Sequence, residues 1–154
     1  MDEMIDIIRG LLAGGYFEYH GEIFDVPSIK ICPTPRAQVP ILIGGHHEAA
    51  LKRAALVGDG WLHGGGDPAD LPDLLARLAA LRKEHGTDSK PFEIHVISPD
   101  AYNPEGTRRL EDLGVTDVIV GFRWPYGRQH DTESLETKVD NLRRFAADVI
   151  AKVR

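Results

Sequence analysis

The sequence predicts an α/β fold: half of a TIM (β/α)8 barrel, with four parallel βα units preceded by a helix and a loop and hairpin excursion. From Val39 onward, short apolar runs alternate with segments whose apolar residues recur every three or four positions, which is typical of a parallel sheet with crossover helices. The chain has 154 residues, whereas a closed barrel typically needs about 250. The same periodicity also allows an open, doubly wound sheet of four strands.

The first 40 residues precede this repeating pattern. Apolar residues within 1–12 have helical spacing, and Gly14 helps to end the predicted helix. Two short segments, 16–19 and 22–26, predict a hairpin. Four prolines within 27–40 exclude any long regular element there. We treat residues 1–154 as a single domain.

Four strands, each followed by a helix, account for the rest of the chain. The predicted strands are 40–43, 60–63, 92–98 and 115–122. The predicted helices are 46–57, a helix capped by Asp67-Pro68, a helix opened by Asn103-Pro104 that ends at Gly114, and a last helix with apolar residues from Leu135 to Val153. We expect the following residues in the core: Trp61, Leu71, Leu74, Leu75, Leu78, Leu81, Leu110, Leu113 and Phe122.

Composition excludes several classes of function. The net charge is −6, and Lys and Arg are scattered, so the chain lacks the clustered basic face of a nucleic-acid-binding protein. No apolar run approaches the roughly 18 residues of a membrane span, and the acidic N-terminus does not resemble a signal peptide. The lone Cys32 allows no internal disulfide. We therefore expect a cytoplasmic protein whose partner is a small molecule or another protein chain.

A glycine pair lies at the first βα junction. Gly44 and Gly45 follow the predicted strand 40–43 and precede the predicted helix 46–57. Missing side chains let backbone N–H groups and the positive end of the helix approach a phosphate. A tight turn that needs glycine for backbone reasons alone explains the pair equally well.

The histidines do not predict a metal site. His46 and His47 are adjacent and point apart on a helix, and the other histidines are scattered, so no metal-ligand spacing is present. We expect no metal. His63, followed by three glycines, could line a barrel mouth, although a mobile loop is the simpler interpretation.

Three further residues follow predicted strands, at the end of the sheet where barrel active sites are built. They are Ser98, Arg123 and Trp124. Arg123 is a candidate for holding an anionic cofactor tail, with a surface salt bridge as the alternative. Cys32 lies between prolines with no base nearby in sequence, so it is a poor candidate for a nucleophile.

Three segments carry a family resemblance. They are PILIGGHHEAALKRAALVGDGWL at 40–62, YHGEIF at 19–24 and LGVTDVIV at 113–120. In order and spacing they resemble the luciferase-like monooxygenase family, in its subgroup of deazaflavin-dependent oxidoreductases. The resemblance covers nearly the whole chain and corresponds to the C-terminal half of the family's barrel.

The resemblance implies an oxidoreductase or monooxygenase that uses coenzyme F-420 or FMN in reduced form, with the cofactor phosphate at Ile43, Gly44, Gly45 and His46. It leaves the catalytic residues unknown, because in the family the groups around the reactive ring come from the N-terminal half. The chain alone is therefore expected to be incomplete as an enzyme. The alternatives are a non-catalytic half-barrel that binds a phosphate-bearing cofactor and a structural or assembly module.

Unpaired sheet edges predict a partner. A half-barrel leaves its first and last strands with free backbone groups and leaves the inner face of its sheet uncovered. A two-fold axis would close eight strands from two copies. We therefore expect a homodimer, or association with a complementary N-terminal half.

Overall fold

The computed structural model describes residues 1–122 and 130–153. The helices and strands that follow are numbered in chain order. They are α1 (Asp2–Leu12), β1 (Phe17–His20), β2 (Asp25–Ile29), β3 (Leu42–Gly44), α2 (Glu48–Val57), β4 (Gly60–His63), α3 (Leu71–Glu84), β5 (Glu93–Val96), α4 (Pro104–Asp112), β6 (Asp117–Val118) and α5 (Leu135–Phe145). A π-helical turn at Ala146–Ile150 and a last turn at Ala151–Val153 continue α5.

Strands β3 to β6 form one parallel sheet in the order β3-β4-β5-β6. Ile43 lies beside Trp61, and Trp61 lies beside Ile94, so these three side chains share a face. Spatial order follows chain order, as it does along the wall of a (β/α)8 barrel. The half-barrel prediction is confirmed, and the doubly wound alternative is wrong because that arrangement requires a non-sequential strand order.

The core lies between one face of this sheet and helices α2, α3 and α4. Apolar side chains at alternate positions of β4 and β5 point into it because successive strand residues face opposite ways. Leucines of α3 recur on its buried face, as their spacing predicts. The buried members of this core are Leu51, Ala54, Ala55, Trp61, Leu71, Leu75, Leu78, Leu81, Val96, Ala101, Leu110 and Val115.

The N-terminal hairpin is bound to α1. Strands β1 and β2 are antiparallel, and the Glu3 carboxylate accepts hydrogen bonds from the backbone N–H groups of Glu22, Ile23 and Phe24. These bonds, led by the one from Phe24, lower the pKa of Glu3. The second strand begins later than predicted because residues 21–24 form the turn around this carboxylate.

The core prediction for Leu113 and the predicted length of the fourth strand of the sheet are wrong. Leu113 is exposed, because α4 ends at Asp112 and Leu113 lies in the turn toward Gly114 rather than on the inward helix face. The fourth strand of the sheet is limited to Asp117–Val118 instead of 115–122. Phe122 is half-buried and contacts the edge of the Phe145 ring.

The C-terminal helix packs mainly through its end. Leu135 and Leu142 are exposed, whereas Val149 is buried. The turns at 146–153 contact α4, so the apolar stripe of this helix is used only in its last part. In the described part of the chain, no helix combines the length and the apolar character needed to cross a bilayer.

Candidate functional site

The predicted phosphate turn connects β3 to α2. His47 occupies the N-cap position of α2, and its side chain makes no capping hydrogen bond. The N–H of Ala50 donates a hydrogen bond of 2.8 Å to the carbonyl oxygen of His47. The N–H groups of Glu48 and Ala49 at the start of α2 lack the usual side-chain acceptor from the cap residue. An anion placed at this end of α2 would meet those groups and the positive end of the helix dipole.

The two glycines of the turn have different reasons to be glycine. Gly45 has φ +121°, and a Cβ there would lie 2.9 Å from the Cβ of Ala50, so its backbone requires glycine. Gly44 is exposed, and a Cβ on it would have the Leu62 carbonyl oxygen at 3.8 Å, an ordinary contact. The tight-turn interpretation therefore explains Gly45, whereas the backbone and packing at Gly44 would also accept a side chain.

Ile43 and His46 flank the glycines in different environments. The Ile43 side chain packs against the core, so only its backbone is available at the open side of the turn. The ring of His46 is stacked on that of His63, with ring centroids 4.5 Å apart and an angle of 15° between the planes. The structure thus brings His63 to the predicted turn, although the two residues are 17 positions apart.

His63 is the last residue of β4 and is 2% exposed, so the mobile-loop interpretation of this residue is wrong. Neither of its ring nitrogens has a hydrogen-bond partner among the described residues. Burial, and then the neighbouring His46, lower the pKa of His63. The ring is therefore neutral at pH 7 and has an unused donor and an unused acceptor.

Trp61 fastens the turn to the sheet. Its side chain is fully buried, as predicted, and its Nε1–H donates a hydrogen bond of 2.9 Å to the carbonyl oxygen of Gly45. The turn conformation at Gly45 is thereby connected to the centre of the core. Sequence reasoning identified Trp61 as a core residue but not as a support of the turn.

A cavity of about 450 Å³ lies on the helix side of His46. Its charged lining residues are Glu48, Asp70, Asp73 and Arg77. Arg77 forms a bidentate pair with Glu48, and this pairing lowers the pKa of the Glu48 carboxyl. With three carboxylates and one already paired guanidinium, this cavity disfavours a phosphate. The open side of Gly44 is the better place for one.

A larger cavity, of about 710 Å³, lies at the opposite end of the strands. Arg9 of α1 lines it and donates hydrogen bonds to the Val57 carbonyl oxygen at 2.7 Å and to Asp59 Oδ2 at 3.0 Å. Asp59 Oδ2 also accepts a bond from the N–H of Ile41 at 2.9 Å. Because barrel active sites lie at the C-terminal ends of the strands, we interpret these groups as a structural link between α1 and the sheet.

The other residues named from the sequence have separate outcomes. Ser98 is buried, and its Oγ accepts a hydrogen bond of 3.2 Å from the N–H of Asp100 in the turn after β5, so it supports the backbone. Arg123 and Trp124 lie outside the described residues. Cys32 is exposed.

Sequence reasoning missed one polar cluster. His95 Nε2 lies 2.9 Å from Glu93 Oε2 and 3.3 Å from Asp117 Oδ2. The alternation along β5 could have indicated that Glu93 and His95 share a face. Asp117 could not have been added from the pattern, because it joins them only through the register of β5 with β6.

Comparison with known proteins shows where the fold belongs. A family model described as luciferase-like monooxygenase matches residues 1–145. An uncharacterized protein of Mycobacterium tuberculosis (strain H37Rv) is 59% identical over 153 residues, covering 99% of this chain and 52% of that protein. The pyrimidine monooxygenase RutA of Allorhizobium ampelinum is 24% identical over 155 residues, covering 97% of this chain and 38% of that protein.

A solved structure shows the same fold. The coenzyme F-420-dependent tetrahydromethanopterin reductase of Methanopyrus kandleri superposes with a TM-score of 0.73 at 15% identity, covering 99% of this chain and 62% of that chain. This chain spans about half the length, 52%, of the mycobacterial relatives that it matches. Since the family model covers most of the sequence, the chain belongs to the luciferase-like monooxygenase family.

Proposed function

We propose that this chain forms the phosphate-binding half of a luciferase-like oxidoreductase or monooxygenase that uses reduced FMN or coenzyme F-420. The observation that carries the proposal is the exposed Gly44, which a Cβ would bring into contact with the Leu62 carbonyl oxygen alone, four residues before α2, whose N-terminus lacks a side-chain cap. The M. kandleri relative of the same fold is named as dependent on coenzyme F-420, and RutA is named as a monooxygenase. The choice between the two cofactors stays open in the proposal.

The residues of the turn fit a phosphate group. Gly44 offers close approach to backbone, and the first turn of α2 offers N–H donors that lack a side-chain acceptor. Ile43 would contact the phosphate through its backbone, because its side chain packs against the core. His46 is exposed at the rim of the turn. The bound cofactor would supply hydride transfer or oxygen activation. This chain's own residues would hold and orient its phosphate end.

Turnover requires groups around the reactive ring, and we propose that a complementary half-barrel supplies them. The length of the match supports this proposal, since the chain covers 52% of the M. tuberculosis relative. A second candidate function, cofactor binding without turnover, rests on the same observation. The two candidates differ in whether adding the missing half produces activity.

Fluorescence titration of FMN and of coenzyme F-420 into the purified chain tests cofactor binding. The informative variant is Gly44→Val, because the structure leaves room for a Cβ at Gly44 and the variant should fold. We expect it to weaken binding by at least about tenfold, or 1.4 kcal/mol. The control is Ala79→Val, which adds apolar volume on the exposed side of α3 and should bind like the wild type.

The outcomes separate the alternatives. Equal binding by the wild type and Gly44→Val would remove the assignment of the turn, and failure of the wild type to bind either cofactor would overturn the proposal. The part of the M. tuberculosis relative that this chain does not cover can then be added. Turnover on mixing supports the half-enzyme function, whereas binding without turnover supports the second candidate.

A further inference from the structure

The cluster of Glu93, His95 and Asp117 lies on the concave face of the sheet. Ile94 and Val96 pack into the core between sheet and helices. Because strand side chains alternate, Glu93 and His95 point to the opposite face. Asp117 of β6 is directly beside His95 in the parallel register, so its side chain lies on the same face. Three side chains from two strands thus meet away from the helices and away from the Gly44 turn.

The distances within the cluster suit a metal ion. One ligand atom from each residue lies within 4.8 Å of the other two. His95 Nε2 is 2.9 Å from Glu93 Oε2 and 3.3 Å from Asp117 Oδ2. An ion at about 2.0–2.2 Å from nitrogen and carboxylate ligands holds neighbouring ligand atoms about 3.0–3.4 Å apart in octahedral or tetrahedral geometry. The two separations from His95 Nε2 are close to this range, and the two carboxylate oxygens are within 4.8 Å of each other, so a small movement would seat an ion.

The charges of the cluster also favour a cation. Two carboxylate oxygens face a single ring nitrogen, which can donate one proton to only one of them. Within residues 1–122 and 130–153, the ion pairs of Glu93 and Asp117 are both with His95. The cluster therefore has an excess of negative charge that a divalent ion would neutralise. Its imidazole nitrogen favours a transition metal over Mg²⁺ or Ca²⁺, which prefer oxygen ligands.

Access to the cluster is open from the concave side. The side chains of Glu93, His95 and Asp117 are 44%, 25% and 54% exposed. An ion could enter without any rearrangement of the fold, and it would keep coordination positions open to water.

We propose that Glu93, His95 and Asp117 bind one divalent transition-metal ion on the concave face of the sheet. The expectation of no metal rested on the spacing of histidines along the chain, whereas this site uses one histidine and two carboxylates that only the β5–β6 register brings together. The proposal does not depend on the cofactor turn, because it involves the opposite strands of the sheet.

Calorimetric titration of Zn²⁺ into the chelator-treated chain tests the site, and Co²⁺ serves as a spectroscopic probe. We expect one ion per chain and a visible absorption band with Co²⁺. Loss of an outer-shell partner of a metal ligand costs about 10–100-fold in affinity, so loss of a ligand should cost at least about tenfold. His95→Gln and Asp117→Asn are the test variants.

His20 on the N-terminal hairpin provides a matched control. It is hydrogen-bonded to the carboxylate of Asp25, whereas His95 faces two carboxylates. His20→Gln should bind Zn²⁺ like the wild type. Circular dichroism checks that each variant folds. If His95→Gln does not fold, the near-isosteric Glu93→Gln and Asp117→Asn decide. Absence of binding by the wild type, or unchanged affinity in the folded ligand variants, overturns the metal site and leaves a hydrogen-bonded polar layer.

Discussion

The imidazole rings of His46 and His63 are stacked in parallel, with centroids 4.5 Å apart and planes 15° apart. His46 belongs to the turn after β3, and His63 is the last residue of β4. The contact therefore joins the ends of two neighbouring strands at the edge where we propose cofactor binding. Because a charge on either ring would repel a charge on the other, the arrangement is most stable when the buried His63 is neutral.

This relationship predicts that stability falls at mildly acidic pH. Burial lowers the pKa of His63 in the folded chain, below its ordinary value of about 6.5. As pH falls below about 6.5, the unfolded chain takes up a proton that the folded chain does not, so the free energy of unfolding decreases. The stability that the neutral His63 contributes is fully present above about pH 6.5 and is lost as pH falls toward the pKa of His63 in the folded chain.

Urea unfolding at pH 7.5 and at pH 5.5 measures this effect. His63→Gln, which cannot titrate, should show a smaller difference between the two pH values than the wild type. His47→Gln is the control, because His47 is an exposed histidine in the turn before α2, next to His46, and the variant should retain the wild-type difference. An undiminished difference in His63→Gln would contradict the assignment to His63.

Trp61→Phe should damage both stability and the turn. The change removes the Nε1–H that binds the Gly45 carbonyl oxygen and leaves that oxygen without this partner. We expect the free energy of unfolding to fall by about 1–3 kcal/mol, and the affinity for FMN or coenzyme F-420 to fall as well.

The control for this prediction is Leu78→Val, which removes volume from the same core on α3 but leaves the turn bonded. It should lower the midpoint of thermal unfolding without weakening cofactor binding. Equal losses of affinity in the two variants would mean that Trp61 acts through general packing and not through Gly45.

An exposed apolar residue on the concave face of the sheet predicts self-association. Within the four-stranded sheet, β3 and β6 each have one neighbouring strand. Val118 packs against the core, so Ile119, the next residue, faces the concave side and is exposed. Closure by a second copy would bury Ile119 and pair the free edges.

We expect a dimer at micromolar concentration by size exclusion with light scattering, and a monomer for Ile119→Lys. Ile8→Lys is the control, since Ile8 is an exposed apolar residue on α1, away from the sheet. A monomeric wild type would contradict the dimer. A dimer retained in Ile119→Lys and lost in Ile8→Lys would place the interface on α1 instead.

Local signals along the chain were enough to predict much of the fold. The leucines of α3 recur on one helix face, and Asp67-Pro68 marks the start of a helical segment, so that unit could be recognised without tertiary information. The strand after α4 was overestimated because an apolar run reports burial but not how many residues pair with a neighbouring strand. For the same reason, the apolar stripe of α5 did not reveal which of its turns would be covered.

Three features could be predicted without a structure: the order of the four βα units, the core stripe of α3 and the glycine pair at the end of β3. Each depends on residues that are close together in the chain. Three contacts required the folded chain: Trp61 supports Gly45, His46 is stacked on His63, and Asp117 contacts His95. These contacts depend on strand register, and in register a shift of one residue turns every side chain to the opposite face. Periodicity carries no information about which residue of the next strand lies opposite, so the candidate metal ligands became visible only in the folded chain.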